Sequence, residues 1–289
     1  MADEPGDDGV QDVAARVASI EAGRAYRLAF EDLDFLREDD LRPVRLQLEL
    51  LKPERHLREH RIRSTIVVFG SARIRPPVVP HDDRSTPSGS DSVETVERRP
   101  PQADAALRHA AYSRYYEEAR RFAQIVSKRF QEAERRDFVV ITGGGPGIME
   151  AANRGAHDVG GRSVALNITL PNEQAPNPFV TPDLCFRFHY FALRKMHFLL
   201  RAKALVVFPG GYGTLDELFE ALTLVQTGKI DAMPIVLVGD AFWRRAIDFD
   251  FLVDEGMISR EDVELFRIVD SAEDAVQVLH DYYGGAPPD

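Results

Sequence analysis

Two stretches of this chain follow one plan, which limits the fold more than any other feature. Phe138-Val139-Val140-Ile141 and Ala204-Leu205-Val206-Val207-Phe208 are unbroken apolar, β-rich runs. Each leads into a glycine loop, Gly143-Gly144-Gly145-Pro146-Gly147 or Pro209-Gly210-Gly211-Tyr212-Gly213, and then into a helical pattern. Strands that are apolar on both faces belong to parallel sheets covered by helices. Further strand-like runs at 65–69, 163–166 and 234–238 alternate with helical patterns at 105–134, 190–202 and 271–283. The alternation predicts an α/β fold: a Rossmann-like, doubly wound parallel sheet with helices on both faces. Right-handed crossovers then place the loops after the strands on one edge, where such sheets bind ligands.

The remaining residues divide into recognisable parts. Residues 1–22 are acidic and small, which predicts a disordered tail. Residues 23–62 carry Tyr26, Phe30, Leu33 and Leu36 at helix-face spacing, which predicts a helical extension. Residues 63–285 form the expected Rossmann-like domain. Within it, 76–102 is rich in Pro, Ser, Asp and Arg and has no periodicity, which suggests a flexible insertion. The N-terminus has no apolar h-region, and no run approaches the roughly 18 apolar residues needed to span a bilayer. A cytoplasmic protein is expected. The formal net charge is −11, which argues against nucleic acid and anionic membranes as partners. A small anion stays compatible, because backbone dipoles hold phosphate locally. A single cysteine, Cys185, allows no internal disulfide.

Both glycine loops lie between a strand and a helix. There the backbone can turn with positive φ, and the helix presents free N–H groups and the positive end of its dipole. That arrangement suits a phosphate, and it also suits a tight structural turn. Ile148 and Glu150 break the dinucleotide-type glycine spacing, and no Gly-Lys-Ser/Thr follows either loop, so NAD and ATP readings are weakened. Several residues keep two readings. Thr214 and Glu217 match a capping box as well as a site. Asp216 suits the first turn of a helix. Ser71 and Arg73 either meet a ligand or sit in a solvated turn. Met149 is core packing or a nucleotide neighbour, and Arg194 alone reads as an ordinary arginine. His189 and His197 have no further ligand at metal spacing, so no metal is expected.

Pro209-Gly210-Gly211-Tyr212-Gly213-Thr214-Leu215-Asp216-Glu217 resembles the PGGxGTxxE signature of the LONELY GUY (LOG) family, phosphoribohydrolases of cytokinin riboside monophosphates once labelled lysine decarboxylases. Phe191-Ala192-Leu193-Arg194-Lys195-Met196 is similar to the family's upstream arginine element, at the separation of its Arg–Glu pair. Gly143–Met149 resembles its other glycine loop. The resemblance covers roughly 65–283 outside the insertion and is closer to a longer bacterial branch, some of whose members are AMP nucleosidases. The first-strand turn reads Gly70-Ser71-Ala72-Arg73, where the family has Gly-Ser-Ser.

The resemblance implies hydrolysis of the N-glycosidic bond of a purine or cytokinin nucleoside 5′-monophosphate. Arg194 and Glu217 would be catalytic. Ser71, Gly144, Gly145, Gly147, Met149, Lys195, Gly210, Gly211, Gly213 and Thr214 would bind the nucleotide. No cofactor is implied. Self-association as a dimer or hexamer is implied, and the preferred base stays open between adenine and prenylated adenine. The alternatives are a non-catalytic nucleotide sensor and a pyridoxal phosphate decarboxylase. The latter needs a Schiff-base lysine, and nothing marks Lys195 or Lys203 as one.

Overall fold

The computed structural model describes residues 8–77, 100–132, 135–169 and 175–286. Most of the expected insertion, residues 78–99, lies outside them. The chain separates into two compact units, residues 1–51 and 52–289.

The first unit is helical. It holds α1 (Asp8–Glu21), the short α2 (Leu33–Arg37) and the start of α3 (Arg42–Glu59). Asp32 caps α2 by accepting from the N–H groups of Asp34 and Phe35 at 3.1 Å. Arg45 donates to the carbonyls of Leu36 and Glu38 at 2.7 Å. Helix α1 stands where the sequence predicts a disordered tail. Val13, Val17 and Ile20 recur at helical spacing within it, a signal outweighed by the acidic composition. All three are exposed.

The second unit contains β1 (Thr65–Phe69), α4 (Pro100–Phe130), β2 (Val139–Thr142), α5 (Ile148–Asp158), β3 (Ser163–Ile168), β4 (Cys185–Phe188), α6 (Phe191–Leu199), β5 (Ala202–Val207), α7 (Tyr212–Gln226), β6 (Ile235–Val238), α8 (Asp240–Ala246), α9 (Phe249–Asp254), β7 (Phe266–Val269) and α10 (Ala272–Tyr283). All seven strands pair in parallel, in the order β4-β3-β2-β1-β5-β6-β7. Strands β1, β2 and β6 are buried along their whole length, as expected of a sheet covered on both faces. Tyr116, Phe122 and Val126 of α4 pack with α5 and α10 on one face. Phe198, Leu218 and Trp243 pack on the other. Strands β4 and β7 were not expected: both are edge strands, with polar or partly exposed positions that break the apolar run.

The chain winds outward from β1 in both directions, so β1 lies between β2 and β5. The carboxyl ends of β1 and β5 therefore flank the point where the winding reverses. Loops diverge there and leave a crevice.

Candidate active site

That crevice is a cleft of about 1080 Å³. Residues 69–74 after β1, Gly143 and Met149, Phe191 and Arg194 of α6, and residues 209–217 line it. Tyr112 of α4 and Phe242 of α8 complete the wall.

The 209–213 loop sets the start of α7. Gly211 is the N-cap, and no side chain caps the helix. The N–H groups of Thr214 and Leu215 both turn back to the Gly211 carbonyl at 3.0 Å. Those of Tyr212 and Gly213 precede any intrahelical acceptor and are the donors available to an anion. A Cβ on Gly210 would fall on the Thr214 side chain, so this glycine lets Thr214 pack against the turn. Thr214 is already inside the helix, and Glu217 is one turn further on. The capping-box reading of the pair therefore does not hold.

Glu217 is 9% exposed and lines the cleft. Burial pushes its carboxyl up to about 7, while Lys195 and Arg194 pull it down. Arg194 is held from behind: its Nε donates to the Leu166 carbonyl at 2.8 Å. Its guanidinium lies 5.5 Å from the Phe191 ring and 5.3 Å from the Phe198 ring. Burial lowers its pKa and Glu217 opposes that shift. Arginine nonetheless stays charged in proteins. Among the described residues the two make no direct ion pair, so a ligand can meet both.

The second glycine loop is braced from within the fold at Gly144 and Gly145. The Gly144 N–H is taken by Thr142 Oγ1 at 3.0 Å. The Gly144 carbonyl accepts from the Asn177 N–H at 2.8 Å, and the Gly145 carbonyl from Asn177 Nδ2 at 3.1 Å. Asn153 Oδ1 joins Thr142 and Asn177 at 2.8 and 2.9 Å. Gly147 has φ +75°, and a Cβ there would strike the backbone of Ser71 and Ala72. None of Gly144, Gly145 and Gly147 lines the cleft, whereas Gly143 and Met149 do. Ser71 ties the loops together: its N–H donates to the Pro209 carbonyl at 3.0 Å, and its carbonyl accepts from the Ile148 N–H at 3.1 Å.

Lys195 is turned toward α7. Its ammonium pairs with Asp216 and Glu220, each at 2.9 Å, and it does not line the cleft. Of the remaining expected residues, Ser71, Gly210, Gly211, Gly213, Thr214, Arg194 and Glu217 all line it, as do Arg73 and Asp216. Tyr112, Ile74, Phe191 and Phe242 were missed. The Tyr112 and Phe242 rings meet edge to face at 6.3 Å. Phe242 was findable, since it follows β6 on the ligand edge. Tyr112 sits on a helix with no motif to mark it.

Residues 149–279 match the family model described as "Possible lysine decarboxylase". The chain is 33% identical over 156 residues to the cytokinin riboside 5′-monophosphate phosphoribohydrolase LOG2 of Arabidopsis thaliana, covering 53% of this chain and 71% of that protein. The chain belongs to the LOG family. The LOG enzyme of Oryza sativa subsp. japonica is 32% identical over 154 residues, 52% of this chain and 62% of that one. Among solved structures, a Moco carrier protein from Chlamydomonas reinhardtii superposes with a TM-score of 0.44 and 17% identity, covering 78% of this chain and 100% of that one. In this LOG-family chain the signature glycines and Glu217 form one wall of the cleft and Arg194 reaches it from α6.

Proposed function

We propose that the chain hydrolyses the N-glycosidic bond of a purine nucleoside 5′-monophosphate, AMP or an N6-modified AMP, to the free base and ribose 5-phosphate. One observation carries the reading. Glu217 is a nearly buried carboxylate in α7, just beyond a phosphate-type loop, with its pKa moved to about 7 by burial and no capping role to explain it. Cleaving C1′–N9 builds positive charge on the sugar and negative charge on the base. A carboxylate beside the sugar stabilises the first and takes a proton from the attacking water. A fixed guanidinium stabilises the second. Arg194, anchored on Leu166 and flanked by two phenylalanines, is that donor. The 5′-phosphate sits on the free N–H groups of α7, beside the Thr214 hydroxyl, and the base faces Tyr112 and Phe242.

A decarboxylase does not fit these residues. Among the described residues lining the cleft none is a lysine. Lys195 is ion-paired, and its pKa is raised against the desolvation that lowers it; a Schiff-base lysine must be neutral. The apolar Met196 of α6, Leu200 at its C-cap and Phe219 of α7, all exposed, support self-association through that face.

The test is to incubate the protein with AMP, isopentenyladenosine monophosphate and adenosine and to follow free base by chromatography. Cleavage of a monophosphate, with adenosine a much poorer substrate and Glu217→Ala inactive, supports the reading. Equal rates on AMP and adenosine would remove the phosphate assignment. No cleavage, with AMP raising the melting temperature, would make the protein a nucleotide sensor.

A further inference from the structure

A second, smaller pocket of about 280 Å³ lies at the opposite edge of the sheet. Arg136 stands just before β2 and Arg162 just before β3, so both flank the amino ends of the strands, away from the cleft. Gln131, Glu132, Gly160 and Gly161 complete the lining. Both guanidiniums are anchored on one residue. Arg136 donates to the His60 carbonyl at 2.8 Å, and Arg162 Nη1 meets His60 Nδ1 at 2.9 Å. An arginine can only donate, so Nδ1 is the acceptor in that contact.

We propose that this pocket is an anion site that takes a phosphate or phosphomonoester dianion between Arg136 and Arg162. Several observations support it. Among the described residues neither arginine has a carboxylate partner, in a chain of net charge −11. Glu132, exposed at the rim, pairs with neither. Burial and the charges of Arg162 and Arg61 lower the Arg136 pKa. Burial and then Arg162 lower that of His60, against the pull of Asp183. Like charges held together this way repel until an anion joins them. Their unused N–H groups form the planar forks that suit phosphate oxygens.

The support beneath the pocket is firm. Gln131 accepts from the Arg162 N–H at 2.7 Å and donates to the Arg162 carbonyl at 3.0 Å. The negative end of α5 is covered locally, because Gly160 and Gly161 donate to the carbonyls of His157 and Ala156. The volume is just below the about 300–1,000 Å³ of pockets for larger ligands. It suits an oxyanion alone or at the end of a short molecule.

The test is calorimetric titration of the full chain, in chloride buffer, with orthophosphate and separately with glycerol 3-phosphate. The wild type is compared with Arg136→Gln and Arg162→Gln. Each variant is expected to bind the preferred probe roughly tenfold or more weakly, the loss of one charge-assisted contact, while keeping its wild-type AMP kinetics. Arg162→Lys should recover part of the affinity. In the wild type the probe should also move the His60 ring resonances. The tighter of the two probes identifies free phosphate or a monoester as the ligand. Unchanged affinity in both glutamine variants, with His60 unmoved, would place all binding in the cleft and overturn the proposal. Binding is read directly, so failure of the hydrolase reading would leave this result standing.

Discussion

Glu217 concentrates the conflict between stability and function in one side chain. Its carboxyl is raised from 4.5 to about 7 by burial. A folded state with the higher pKa binds more protons than the unfolded chain between those values. Stability therefore falls as pH rises from about 4.5 to 7, and the loss is complete above 7. Glu217→Gln removes the buried charge and keeps the shape. At pH 8 it should melt higher than the wild type, by the equivalent of about 1–3 kcal/mol. At pH 4 the two should melt alike. The same titration governs catalysis, because the role assigned to Glu217 needs the ionised form. The acid limb of kcat/KM for AMP should bend near pH 7, and Glu217→Gln should lose at least about a hundredfold in kcat. Arg194 is equally specific. Its Nε bond to Leu166 and its place between Phe191 and Phe198 need a planar fork, which lysine lacks. Arg194→Lys should lower kcat by roughly a hundredfold or more with little change in melting temperature.

Among the elements, the loops show what sequence conveys and what it hides. The buried strands and the loops after them were legible, because unbroken apolar runs and glycines mark them directly. The edge strands β4 and β7 were not, since their half-exposed patterns do not stand out from loop. The two glycine loops look equivalent in sequence, yet the 209–213 loop lines the cleft throughout and the 143–147 loop only at Gly143. The difference lies in Asn177, which donates from its backbone N–H to the Gly144 carbonyl and from its side-chain amide to the Gly145 carbonyl, and is itself held by Asn153 Oδ1. Asn177 is distant in sequence, so no local pattern could assign it. Gly147 marks the bracing role. Its φ is +75°, and a Cβ would strike the backbone of the β1 turn. Gly228 also has positive φ, +65°, but has nothing within 4 Å of a Cβ. Gly228→Ala should cost about 1 kcal/mol, the strain alone. Gly147→Ala should cost at least about 2–3 kcal/mol, since strain and collision add, and should lower AMP turnover by displacing Ser71. Thermal melts of the two variants side by side check both figures.

For the whole molecule, the α6 and α7 surface beside the cleft decides whether one chain suffices. Lys195 on α6 bridges to Asp216 and Glu220 on α7, which ties the two helices together. Beside that bridge Met196 and Leu200 lie one turn apart at 39% and 49% exposure, with Phe219 of α7 at 39%. Exposed apolar side chains of that size are costly in water, and we propose that they belong to an interface. Stable interfaces bury about 1,200–2,000 Å² in total, so this patch would be the centre of a larger contact. Leu200→Glu with Phe219→Glu puts two charges there without touching the buried core. Sedimentation should show the wild type as a dimer or larger and the double variant as a monomer with native circular dichroism. Because Phe191 and Arg194 share α6 with that surface, the monomer should also lose activity, through a raised KM for AMP. A monomeric wild type, or a double variant that still assembles, would move the interface elsewhere and leave the cleft complete within one chain.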